Sequence, residues 1–316
     1  MIDPPGSDDM VAVVIPAYNA AATLDRTLRS VRVQTHRRLD IVVVDDGSSD
    51  ESAAIVRGHA AEDGRVRLLQ QANAGVAAAR NAGLAATVAD YVAMVDADDL
   101  WAPDAAASLL AAIRGGGADT GLAYCGFGVI DAHDRVERIV TPSDAGDVRH
   151  AVALRNIVGN GSGAMFRRAA IERAGGYDSS LRAKDAQGCE DHLLYFRVGL
   201  RWRFACVPSP LLGYRIMGGS MSQNYGRMLR SHALCVAQFQ AAMPDMADAI
   251  ARSHIDFAGW LMTRAIEYGP LSAAPGLAMK ARRMGVARLA RLAVTAGRRR
   301  IRRGWPKRHF ADVVRS

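Results

Sequence analysis

Three aspartates fall within four positions of the segment YVAMVDADDLW, at 91–101. An apolar run over 91–95 reads as a buried strand that ends in Asp96, Asp98 and Asp99. Carboxylates this close raise one another's pKa values and cost stability, and packing gives no reason to place them there. A divalent cation shared with a phosphate removes that cost, and oxygen donors at a strand end suit Mg²⁺ or Mn²⁺. The same residues also fit an acidic turn whose side chains cap the helix after Pro103. A second acidic pair, Glu190-Asp191, stands far along the chain where a helix is expected to begin. One member, set against a metal site, could take a proton from an attacking hydroxyl. A pair at that position also complements a helix dipole.

Other strand ends carry polar groups of equal interest. Tyr18 follows Pro16-Ala17, where its ring either stacks on a flat substrate or packs on its neighbours. The run Asp45-Asp46-Gly47-Ser48-Ser49 sets carboxylate acceptors beside free backbone N–H groups, a match for the ring N–H of a uracil or for ribose hydroxyls. Ser49 or Asp50 is the expected N-cap of the helix that follows. Arg80 and Asn81 sit on a helix opened by Asn73-Ala74-Gly75, with the arginine facing either a ligand phosphate or solvent.

These residues need a scaffold that brings strand ends together. Strands are expected at 11–15, stopped by Pro16, and at 41–44, 66–69 and 91–95. Helices are expected between them and from Pro103 to the glycines at 115–117. Alternation of this kind predicts a mostly parallel sheet with right-handed crossovers, and such sheets bind ligands at the carboxyl ends of their strands. PAYN, DDGSSD, NAG and DADD each lie at one of those ends. Further on, 122–130 reads as another strand, 131–146 as a polar loop, and the glycine-rich 157–168 as a pocket lining. The last expected strand is 204–207, ahead of Pro208 and Pro210. From residue 225 the pattern is helical, which divides the chain into 1–224 and a helical extension over 225–316.

Of 316 residues half are hydrophobic and 23% charged, the composition of a globular chain. The net charge of +8 is unevenly placed. Residues 270–316 hold thirteen Lys or Arg against the single acid Asp312, a net of +12, which leaves −4 for residues 1–269. The four cysteines are scattered without metal-ligand spacing and suit reduced thiols in a cytoplasmic protein. No apolar run reaches the roughly 18–20 residues that span a bilayer, and the N-terminus lacks the apolar core of a signal peptide. Arg298, Arg299, Arg300, Arg302, Arg303, Lys307 and Arg308, with Trp305 among them, could hold the chain at an anionic inner membrane face. Nucleic acid is not the expected partner.

In order, VVIPAYNAAATLDRTLRSVRVQ, IVVVDDGSSDES, GVAAARNAGLAATVADYVAMVDADD and GCEDHLLYFRVGLR resemble the family 2 glycosyltransferases of the GT-A fold, over roughly 11–222. The resemblance implies an inverting, metal-dependent hexosyl transfer from a nucleotide-sugar, with UDP the expected nucleotide. The acceptor would be a hydroxyl of a glycan or lipid-linked molecule in cell-surface polysaccharide synthesis. It assigns the nucleotide to Pro16, Ala17, Tyr18 and Asp46, with Arg80 near base and phosphates and Asp96 at the ribose or sugar. Asp98 would bind Mg²⁺ or Mn²⁺, with Asp99 alongside. Asp191 would be the catalytic base and Glu190 its partner. Many relatives carry a Tyr-Arg-x-His segment whose histidine completes the metal shell, whereas this chain has Tyr214-Arg215-Ile216-Met217. Methionine is a poor ligand for these cations. Two other classes fit parts of the pattern. A sugar-nucleotide pyrophosphorylase would need a basic glycine-rich loop after the first strand, where PAYNAA stands. A non-catalytic nucleotide- or surface-binding module would leave the ordered acids without a purpose.

Overall fold

The computed structural model describes residues 9–216, 224–269, 271–302 and 307–315. Its first half alternates as expected: β1 (Val11–Ala17), α1 (Leu24–Arg32), β2 (Leu39–Asp45), α2 (Ser52–Glu62), β3 (Val66–Gln70), α3 (Val76–Ala85) and β4 (Tyr91–Met94). All four strands run parallel. Successive side chains of a strand leave opposite faces, and both faces are covered here. Val11, Val13 and Ile15 join one core with Leu24, Leu28 and Val31 of α1. Ala12 and Val14 join a second core with Ala77, Ala79 and Leu84 of α3. Burial on both faces is why these strands read as unbroken apolar runs.

The second half holds β5 (Leu100–Trp101), α4 (Ala105–Gly115), β6 (Thr120–Ile130), β7 (Val136–Val140), α5 (Arg149–Leu154), β8 (Ala164–Arg167), α6 (Arg168–Arg173), α7 (Ser180–Ala183), α8 (Glu190–Gly199) and β9 (Arg203–Arg215). The strand order is β3-β2-β1-β4-β8-β6-β9-β5, with β7 paired to β6. In this half β8 is antiparallel to both neighbours, β9 is parallel to β6, and β5 and β7 are antiparallel edges.

Besides β5 and β8, strands that were not expected, three elements depart from expectation. β1 continues through Pro16, which pairs with Val44 of β2, while its pairing to β4 ends at Val14. A proline that no longer owes a donor to a neighbour is tolerated in a strand. The expected polar loop over 131–146 contains β7, whose side chains are mostly half-buried. β9 runs on through Pro208 and Pro210 to Arg215, because its register against β6 shifts around Gly126. A side chain at Gly126 would meet the carbonyls of Pro208 and Ser209 at 2.8 and 2.9 Å, so only glycine admits this close backbone approach.

The extension comprises α9 (Tyr225–Ala242), α10 (Ala247–Tyr268), α11 (Ala274–Lys280), α12 (Val286–Arg302) and the short α13 (Phe310–Val313). Asn224 caps α9 by accepting from the Arg227 N–H. Helix α10 packs against α9, α11 and α12. α13 returns to the second half of the sheet, where Phe310 is buried beside Ile130 and fills the space left by Gly128 and Gly213. Val136 N–H donates to the Arg308 carbonyl and Phe310 N–H to that of Asp134, so the two expected units are joined at the chain's far end. Among the described residues no helix is long and apolar enough to cross a membrane.

Candidate active site

The chemistry gathers at the carboxyl ends of β1 to β4. Tyr18, just past β1, is 56% exposed, while Pro16 and Ala17 are buried in the strand end. Past β2, Asp45 accepts from the Ser48 N–H and the Gln70 side chain, which tightens the turn. The N-cap of α2 is Glu51, not Ser49 or Asp50 as expected; Asp50, one residue earlier, accepts from the Ser52 N–H and so still steadies the head of the helix. Asp46 is buried. Its Oδ1 accepts from the Gln71 side chain at 2.7 Å and Ala74 N–H at 2.8 Å, and its Oδ2 from Gly75 N–H at 2.8 Å. Instead of standing open to a base, the carboxylate ties the β2 end to the loop over 71–75. Gly75, with φ of 91°, turns that loop into α3.

Helix α3 presents Arg80 to the acidic turn after β4. Arg80 donates to Asp96 Oδ1 at 2.6 Å and lies over the Tyr177 ring with its Cζ 5.0 Å from the centroid. Burial opposes the guanidinium charge, but Asp96, and Asp191 with it, hold Arg80 protonated more firmly than usual. Asn81, next on the helix, fixes the backbone of Tyr177 through paired hydrogen bonds. The Tyr177 hydroxyl is buried without a partner among the described residues.

The three acids of the turn have separate surroundings. Asp96 carries Arg80. Asp99 is wholly buried, with Oδ2 accepting from Ser162 Oγ at 2.6 Å and Oδ1 from the Arg215 N–H at 2.8 Å. Burial and the two neighbouring carboxylates push its pKa well above the ordinary range. With both oxygens turned inward, Asp99 shapes the turn. Asp98 is half-buried, and among the described residues no other side chain pairs with its carboxylate. Burial first and Asp96 second push its pKa up to about 6, against the pull of Arg215. Arg215 itself braces the turn by donating to the Asp98 carbonyl at 2.6 Å and the Asp131 carbonyl at 2.6 Å, and by pairing with Asp134.

The glycine-rich stretch links this turn to the second acidic pair. Ser162 Oγ accepts from the Asp96 N–H at 2.9 Å while donating to Asp99. Gly161 lies against the ion pair, since a β-carbon there would sit 2.6 Å from Arg80 Nη2 and 3.0 Å from Asp96 Oδ2. At the other end of the stretch Asn156 reaches Asp191 Oδ2 at 3.3 Å. The Tyr195 hydroxyl of α8 donates to the Asn160 carbonyl at 2.8 Å. Glu190 and Asp191 form the first turn of α8. Burial raises both carboxyl pKa values, opposed at Glu190 by its own N–H and that of Gly188, and at Asp191 chiefly by Arg80. The mutual influence of Asp191, Arg80 and Asp96 places the two acidic groups in one electrostatic environment. Ser162, Asn156 and Tyr177 were not singled out from sequence, and Arg215 was named only as part of the segment ending at Met217. The glycine spacing around Ser162 was the one available signal.

The donor set suits a hard divalent cation. Asp98 offers oxygen, is shielded from bulk water and lacks a counter-charge of its own, while Arg80 already occupies Asp96. Among the described residues no three acidic, histidine or cysteine side chains converge on one ion. A site with one or two carboxylates, completed by substrate phosphate and water, is the usual arrangement for Mg²⁺. Met217, where a further ligand was in question, lies outside the described residues.

The sheet is covered by helices on both faces, acids gather at its strand ends, and a buried Glu190 with a half-buried Asp191 opens α8. The chain belongs to glycosyl transferase family 2, whose sequence profile matches residues 12–175, more than half of it. EpsH of Bacillus subtilis (strain 168), named as a glycosyltransferase, is 29% identical over 239 residues, covering 73% of this chain and 68% of EpsH. Glycosyltransferase GlyA of Streptococcus pneumoniae serotype 4 is 42% identical over 92 residues, but these span 29% of this chain and 13% of GlyA. Among solved structures, S. aureus TarS 1–349 superposes with a TM-score of 0.61 at 15% identity, covering 93% of this chain and 91% of TarS 1–349. Mannosyltransferase PcManGT from Pyrobaculum calidifontis, solved with GDP-Man and Mn²⁺, gives 0.59 at 19% identity, covering 94% and 88%. At these identities the superpositions establish a shared GT-A fold. The protein is a glycosyltransferase.

Proposed function

We propose that the chain transfers a hexose from a nucleotide-sugar to an acceptor hydroxyl with inversion at the anomeric carbon. The observation that carries this reading is the loop over 156–163, which joins Asp191 to the Asp96–Asp99 turn by direct hydrogen bonds. TarS has been solved with UDP-GlcNAc and with UDP, and UDP is the nucleotide proposed here. Tyr18 supplies an exposed ring for the base beside Pro16 and Ala17. Asp46, buried and bonded on both oxygens, would act on the base through the loop over 71–75 that it holds in place. Arg80 and Asp96 orient ribose and sugar as a locked pair.

Asp98 would hold Mg²⁺ or Mn²⁺ against the diphosphate, with Asp99 fixing its backbone. Held there, a divalent cation would supply Lewis-acid neutralisation for a departing nucleoside diphosphate. Asp191 accepts the proton of the acceptor hydroxyl, and the oxygen attacks from the face opposite the leaving group. A single displacement needs one base, unlike the carboxylate pair of a glycosidase. Glu190, held by the Gly188 N–H at 2.8 Å, orients this base.

The acceptor is proposed to be a glycan or a lipid-linked molecule in surface polysaccharide synthesis. The extension supports an encounter at an anionic membrane surface. Residues 271–302 contain nine Lys or Arg and no acid. On α12 the half-buried or buried Leu289, Leu292, Ala293 and Ala296 face α10, so Ala287, Arg291, Val294 and Arg298 form the outward stripe. Such a stripe lies on a headgroup layer without deep insertion. Arg303 and Trp305 of the basic cluster lie outside the described residues.

The test is release of nucleoside diphosphate from a panel of sugar nucleotides, with and without Mn²⁺, by wild type and Asp191→Asn. Transfer by the variant at near wild-type rate would overturn the assignment of the base.

A further inference from the structure

Arg80 is the one charged residue of α3, and it is buried. Among the described residues its side chain makes a single hydrogen bond, from Nη2 to Asp96 Oδ1 at 2.6 Å, while Nε is buried without a partner. A guanidinium is a planar fork of five N–H donors. One bond at one corner fixes where the group sits but not how its plane lies. The second support is the ring of Tyr177, whose centroid is 5.0 Å from Arg80 Cζ. A guanidinium gains most from a ring face when both are withdrawn from water, as they are here.

The same helix fixes the ring's own place. Asn81, next to Arg80, donates to the Tyr177 carbonyl at 2.8 Å and accepts from its N–H at 2.9 Å. Gly176, with φ of 66°, brings the chain so near that a β-carbon there would stand 2.9 Å from Asn81 Oδ1. Tyr177 joins the core that also holds Ala77 and Ala79 of α3 and Leu193 and Leu194 of α8. Its hydroxyl is buried without a partner, so the ring face and not the hydroxyl makes the contact.

We infer that Tyr177 is a positioning residue for nucleotide-sugar binding, its ring holding the Arg80 guanidinium in the plane from which it grips Asp96. The inference rests on the proposed transfer reaction, in which Arg80 and Asp96 orient ribose and sugar. Without the ring, Arg80 turns about its one hydrogen bond, and Asp96 stands beside Asp98 with no fixed counter-charge. The donor must then order both groups as it binds, at a cost in affinity.

The test uses the full chain with Tyr177→Phe, Tyr177→Leu, Arg80→Met and the Arg80→Met, Tyr177→Leu double variant. Each is titrated calorimetrically with UDP and Mn²⁺ and assayed for release of nucleoside diphosphate. Tyr177→Leu should weaken UDP binding about tenfold and raise KM for the sugar nucleotide to match, with kcat changed less. Tyr177→Phe keeps the ring and should bind UDP within about twofold of wild type. In the Arg80→Met background Tyr177→Leu should bring no further loss, because the group it positions is gone. Tyr177→Met gives the same comparison should the leucine variant fail to fold. Wild-type UDP affinity in Tyr177→Leu or Tyr177→Met, a loss in Tyr177→Phe as large as in Tyr177→Leu, or a full further loss in the double variant overturns the role and leaves the transfer reading intact. The expected pattern in a chain that releases no nucleoside diphosphate from any sugar nucleotide supports the role and overturns the transfer reading. A wild-type chain that binds neither UDP nor GDP overturns both.

Discussion

The two halves of the sheet place their functional residues by different means. From β1 to β4, each βα unit ends at the same side of a parallel sheet, so Tyr18, Asp46, Arg80 and Asp96 need only local chain geometry to meet. From β5 to β9 the strands run both ways, and Ser162, Asp191 and Arg215 reach the site through contacts spanning some 35 to 117 positions of sequence. In the proposed reading the first half would cradle the nucleotide and the second would supply the proton acceptor while bracing the acidic turn. Substitutions in the second half should therefore separate binding from turnover.

The largest expected effect is at Asp191. Asp191→Asn should lower transfer by about 10²–10⁴-fold while UDP binding by calorimetry stays near wild type. Equal loss of both would erase the contrast between the halves. The wild-type pH profile sharpens the point. Burial raises the Asp191 pKa, and a base works only when deprotonated. The acid limb of kcat should therefore lie above the ordinary carboxylate value of 3.8, and a limb at or below that value would remove Asp191 from the role.

Next comes Gly161, where the second half presses on the first. Gly161→Ala would force its new carbon into Arg80 and Asp96, at a cost of about 1–3 kcal/mol. A lower melting temperature and weaker UDP binding are expected together. A variant that keeps both would show that the ion pair can shift freely. Ser162→Ala removes one hydrogen bond to Asp99 and the acceptor for the Asp96 N–H. About 1–2 kcal/mol of stability should be lost, with kcat falling more than the apparent affinity for donor.

The smallest effect belongs to the extension's surface. Arg291→Glu with Arg298→Glu should weaken sedimentation with anionic vesicles by about 1 kcal/mol for each positive charge lost, leaving activity on a soluble acceptor unchanged. Undiminished sedimentation would remove α12 from the membrane reading.

Much of the first half was legible because a strand buried on both faces must be apolar throughout, and because turn chemistry marks its ends. The apolar runs at 41–44 and 66–69 became β2 and β3 with little change. β7 was missed because an edge strand, half exposed, can alternate polar and apolar residues like a loop. The continuation of β9 was hidden by Pro208 and Pro210, whose effect depends on a register shift against Gly126 that local sequence does not encode.

Residue types and their order settled the family, the parallel half and the candidate acids, since these follow from short-range rules of period, turn and charge. Tertiary structure decided which carboxylate does what. Asp96, Asp98 and Asp99 look alike in sequence, yet one is tied to Arg80, one is left without a counter-ion and one is sealed between Ser162 and Arg215. Charge is a property of the residue. Its cost and its use depend on partners that only the folded chain brings near.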